Sequence, residues 1–164
     1  MSVLERLSIS CNRSIEGALL LLGLTMTAIV ILQVFYRYAL NHSLFWSEEL
    51  ARYLLVWLTF LGATVAYRRR MHPSVDVLFK RLSRPARRRL RVLVHLLSLL
   101  FFSILIWYGS TFAYFVRLQT TPALALPKWL IFAIIPLSGL IFTLHALAFL
   151  SGELNPQQQD RVKP

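Results

Sequence analysis

Four apolar stretches, at about residues 14–37, 46–67, 91–116 and 128–150, constrain this chain more than any other feature. Each can cross a bilayer as a helix, since about 20 residues rising 1.5 Å apiece span the hydrocarbon core. With 57% hydrophobic residues in 164 positions, little chain remains to build a soluble domain. The expected fold class is therefore an all-α membrane protein. One four-helix transmembrane domain should occupy residues 1–152, and residues 153–164 should form a polar cytoplasmic tail.

Charge sets the orientation. Ten of the 18 basic residues lie between the second and third stretches: Arg68, Arg69, Arg70, Lys80, Arg81, Arg84, Arg87, Arg88, Arg89 and Arg91. Such an excess marks the cytoplasmic side, so both termini and this long loop are expected there. The net charge of +11 is then explained by orientation and attraction to anionic lipids at that surface. A nucleic-acid reading would need a basic folded domain with a reading element, and no segment supplies one. Within the loop, Val75, Leu78, Phe79 and Leu82 recur at helical spacing with Asp76, Lys80 and Arg81 off the stripe. A short amphipathic helix on the membrane surface is expected, ending before Pro85. Two basic residues precede the first stretch without a cleavage pattern after it, so that stretch should stay in the membrane. Cys11 is the only cysteine, which excludes an internal disulfide and a cysteine metal cluster.

The turn between the first two stretches carries most of the informative polar chemistry. Phe35, Tyr36 and Tyr38 face Phe45 and Trp46 across Asn41–Leu44, an aromatic collar of the kind found where membrane meets water. The turn is short, so the first two spans should be antiparallel neighbours. Ser47 is placed as the N-cap of the second span, with Glu48 and Glu49 in its first turn. Arg52 lies three and four residues beyond these acids on one face, and about 6 Å deeper than Glu48. An unpaired arginine at full depth costs roughly 2.5–3.5 kcal/mol, so pairing is expected. Arg37, ending the first span, sits at the same level. Two readings stay open for Arg37, Tyr38, Trp46, Glu48, Glu49 and Arg52: a clamp between the two spans, or a dock for a partner.

Elsewhere the signals are structural. Gln33 should bond to another helix, Glu16 is read as a headgroup-level charge, and Pro136 predicts a kink. Gly62 with Ala66 and Gly109 with Ala113 are small pairs that permit close helix approach. No spacing supports a catalytic triad, a His-Glu-x-x-His zinc site or a phosphate-binding glycine loop, so no catalytic residues, metal site or cofactor is assigned. His95 and His145 lie at similar depth on the third and fourth spans. As an alternative function, they would ligate a haem in a membrane anchor for an oxidoreductase. A self-sufficient channel would need a polar lining these spans lack.

The ordered series Arg37-Tyr38, Asn41, Trp46-Ser47-Glu48-Glu49, Arg52-Tyr53, Trp57, Gly62, His72 and Asp76 resembles the small membrane subunit of tripartite ATP-independent periplasmic (TRAP) transporters, the DctQ type. The resemblance implies a non-enzymatic subunit of a secondary transporter in the bacterial inner membrane. In that family a periplasmic binding protein delivers an organic acid to a two-part membrane complex. The large subunit carries the substrate and sodium sites, and the small one braces it and helps dock the binding protein. The third and fourth spans match the family in hydropathy alone.

Overall fold

The computed structural model describes residues 3–69 and 84–154. The expected surface helix over Val75–Leu82 lies outside them, as does the expected tail over 153–164 apart from Glu153 and Leu154, which are helical. The described chain forms α1 (Val3–Ala39), α2 (Phe45–Arg68), α3 (Arg84–Phe115), α4 (Lys128–Phe132) and α5 (Ile134–Leu154). Four segments are long and apolar enough to cross a membrane: α1, α2, Arg89–Phe115 of α3, and Lys128–Gly152 across α4 and α5. The four expected spans are thus present.

Their ends differ from the sequence reading in instructive ways. The first helix begins by Val3, well before the expected span start near residue 14, because nothing in residues 3–13 breaks a helix. It stops at Ala39, where Asn41 takes the left-handed conformation (φ 48°) and the His42 amide donates to the Tyr36 carbonyl at 3.0 Å. Asparagine tolerates that geometry better than other side chains with a Cβ. Leu44, not Ser47, is the N-cap of α2. Ser47 is already helical and buried, and its hydroxyl donates back to the Leu44 carbonyl at 2.7 Å. The kink expected at Pro136 appears as a break at Ala133, between α4 and α5. Proline lacks the amide that would bond the residue four positions back, here Phe132, and its ring crowds that carbonyl.

The helices form two unequal groups. Antiparallel α1 and α2 pack along one another, and α5 lies against both, while α3 packs chiefly on the other side of α5. The core between α1, α2 and α5 is Ile15, Leu61, Val65 and Ile134. Close contact between α3 and α5 depends on two glycines. A Cβ on Gly109 would lie 2.8 Å from Ile135 Cγ2 and 3.1 Å from the Pro136 backbone nitrogen. One on Gly139 would lie 2.7 Å from Ile106 Cγ1. Gly62 is different: among the described residues no neighbour lies within 4 Å of its Cβ position, so no described helix packs closely on it.

Tyr67 joins the two groups. Its ring meets Phe102 of α3 edge-on at 5.3 Å, and Phe142 and Phe149 of α5 at 5.6 and 5.9 Å. Phe102 and Phe142 stack at 4.7 Å beside it. Such ring pairs add about 0.5–1.5 kcal/mol each beyond simple burial. The large apolar side chains left exposed on α1 and α3, among them Leu20, Leu24, Leu97 and Leu100, suit lipid.

Candidate functional site

One end of the molecule holds the α1–α2 turn and the α3–α4 connection, and the other holds the start of α1 and the ends of α2 and α5. At the turn end the described geometry brings three of the four expected charges into contacts. Glu48 accepts a hydrogen bond from Gln33 Nε2 at 3.0 Å and sits 3.9 Å from Arg37 Nη1. Gln33 therefore bonds to a neighbouring helix as its position suggested. Both charged side chains are more than half exposed, at 59% and 54%, so this pair contributes at most about 1 kcal/mol.

Glu49 points elsewhere, toward the α3–α4 connection. Its Oε2 accepts the Ala123 amide at 2.7 Å, and its Oε1 accepts the Tyr53 hydroxyl at 2.8 Å. The connection it holds is a tight loop. Thr120 and Pro127 bridge across its base, the Thr121 amide donates to the Leu126 carbonyl at 2.9 Å, and Ala125 is left-handed with φ 51°. Lys128 Nζ closes the base on Gln119 Oε1 at 3.0 Å. Sequence reading missed this anchor because the carboxylate and its amide partner lie 74 positions apart.

Arg52 joins neither contact. Its side chain is exposed, and among the described residues no ion pair includes it. The expected pairing with Glu48 or Glu49 is not formed, because both acids are turned to other partners. Tyr38, 75% exposed, and Trp46, 37% exposed, stand at the rim with Phe35 and Phe45 as an outward collar.

The opposite end carries a stronger tie that the sequence did not declare. Glu16 Oε1 accepts Arg69 Nη2 at 2.8 Å and Nε at 3.1 Å, and also Asn12 Nδ2 at 2.7 Å. Glu16 is thus a helix-to-helix bond and not a lone headgroup-level charge. The α1–α2 pair is fastened at both ends, with Arg37–Glu48 at one and Glu16–Arg69 at the other.

His145 is fully buried, and its Nδ1 hydrogen-bonds the Ser8 hydroxyl at 2.8 Å, joining α5 to the first turns of α1. His95 stacks on Phe149 at 5.8 Å between ring centroids. One imidazole is committed to α1 and the other lies against a phenyl ring. A haem needs both rings pointing at one open slot, so the packing does not favour that reading.

The geometry defines a small multi-span protein with ion pairs between α1 and the ends of α2, and with Arg52 outside any ion pair among the described residues. The chain belongs to the family described as tripartite ATP-independent periplasmic transporters, DctQ component, whose model matches residues 26–155. It is similar to the C4-dicarboxylate TRAP transporter small permease protein DctQ of Rhodobacter capsulatus, at 34% identity over 59% of this chain and 44% of that protein. The ectoine TRAP transporter small permease protein TeaB of Halomonas elongata is 30% identical over 77% of this chain and 67% of its own length. The isethionate TRAP transporter permease protein DctMQ of Oleidesulfovibrio alaskensis is 26% identical over 80% of this chain. The matched region is 22% of that protein and less than half of the Rhodobacter one.

Proposed function

We propose that this chain is the small scaffold subunit of a TRAP-type secondary transporter. It braces a large transport subunit during sodium-coupled uptake of an organic acid handed over by a periplasmic binding protein. The observation that carries the reading is the family match over residues 26–155, in a chain whose ionic contacts fasten helices to each other. The DctMQ permease adds support, since the region similar to this chain is about a fifth of that longer protein.

In this reading the chain is a multi-pass protein of the bacterial inner membrane. Both termini and the basic loop face the cytoplasm, where the loop meets anionic lipids. The turn end, with Arg37, Tyr38, Trp46, Glu48 and Glu49, then faces the periplasm and the binding protein. The amphipathic stripe Val75, Leu78, Phe79 and Leu82 fixes the height of the bundle at the inner surface.

Reconstitution tests this directly. Liposomes holding the large subunit, this chain, binding protein and a sodium gradient should accumulate the acid, and those lacking this chain should not. Equal uptake without it, or uptake by this chain alone, would contradict the assignment.

A further inference from the structure

At the turn end, Arg37 and Glu48 face each other, Glu49 holds Ala123, Arg117 lies over the Tyr114 ring at 3.7 Å, and Lys128 bonds Gln119. Arg52 is the exception among the described residues, and it lies inside the span, roughly 9 Å along the helix axis from Trp46. It also begins a continuous open face. Leu55, Thr59 and Ala63 follow it as exposed residues at helical spacing, with half-buried Gly62 and Ala66 beside them. The other face of α2, with Ser47, Leu61, Thr64 and Val65, is buried against the rest of the molecule.

This open face differs from the others in carrying a cation within its span. Those of α1 and α3 present large apolar side chains such as Leu21, Leu24, Phe101 and Ile104, which lipid covers well. On α2 the open face presents a cation, then Leu55, and beyond it only small side chains. Thr59 has its hydroxyl bonded to the Leu55 carbonyl at 2.8 Å, so it leaves no polar hydrogen unsatisfied. In a bilayer, helices associate through close packing and interhelical polar bonds, and ionisable groups within spans turn toward protein.

We propose that this face, Arg52 with Leu55, Thr59, Gly62, Ala63 and Ala66, receives a helix of the large transport subunit that presents a carboxylate level with Arg52. The inference rests on the scaffold reading above. The DctMQ protein supports the choice of occupant, because the region resembling this chain is there part of one longer permease chain.

The test uses the co-expressed transporter in native membranes, with a benzophenone amino acid at Thr59 or, as control, at Leu24 on the lipid-facing side of α1. Illumination should join the Thr59 probe, and not the Leu24 probe, to the large subunit. Separately, Arg52→Ala should lower the large subunit recovered with the chain about tenfold, with partial rescue by Arg52→Lys. Gly62→Leu should do the same while leaving the thermal midpoint of the purified chain unchanged, since its new side chain meets open space within the chain. If the unmodified chain brings the large subunit with it but the Thr59 probe labels only lipid, and Arg52→Ala and Gly62→Leu recover it in full, the docking face is wrong and the scaffold reading stands. If the unmodified chain recovers no large subunit, both fall.

Discussion

Glu49 shows how far a single carboxylate can organise a membrane protein's rim. It accepts a backbone amide from a loop 74 residues away and a hydroxyl one helical turn along. Hydrogen bonds to a charged acceptor are shorter and stronger than those between neutral groups. Glu49→Ala should therefore speed amide exchange across 119–126 by tenfold or more, with α1 and α2 little changed, as hydrogen-exchange mass spectrometry would show. Unchanged exchange in the loop would remove the anchor. Gly109 makes a different demand. Its absent side chain lets Ile135 and the Pro136 backbone approach α3, so Gly109→Val should destabilise the fold by about 1–3 kcal/mol, seen as a lower thermal midpoint in detergent. The same change at Gly62 should cost little in the isolated chain.

At the scale of elements, the α1–α2 pair is the one joined by ion pairs at both ends among the described residues. Because Arg69 donates through Nε and Nη2 to one oxygen of Glu16, Glu16→Lys and Arg69→Glu should each lower the thermal midpoint. The double exchange should restore most of the loss. A double variant no better than the worse single one would show that the pair is not coupled. The existence of these elements was legible because four long apolar runs admit few alternatives. Their contacts were less so. A helix apolar all round does not declare which face turns inward, and so the Ser8–His145 bond, spanning 137 positions, carried no pattern to find. The Glu16–Arg69 tie was hidden because both residues sit where headgroup-level charge is ordinary. Ser47 misled for a local reason: its hydroxyl can cap a helix or bond back within one, and the backbone chose the latter.

For the whole molecule, the arrangement is a firm α1–α2 pair, a central α5 and an α3 docked on its far side. That leaves extended side surfaces and, within the described residues, no charged path between the two ends, which suits a brace more than a conduit. Arg52→Ala is accordingly expected to reduce uptake by the assembled transporter more than Arg89→Ala, whose side chain is exposed near the start of α3. Initial uptake rates at matched membrane levels would check this. The central claim is that the chain works as a subunit bound to a larger transport protein. Native mass spectrometry of the tagged chain, released gently from its own membrane, tests that most directly. The account predicts a one-to-one complex with the large TRAP subunit. The chain alone, or bound to a flavin or iron–sulfur protein, would contradict it.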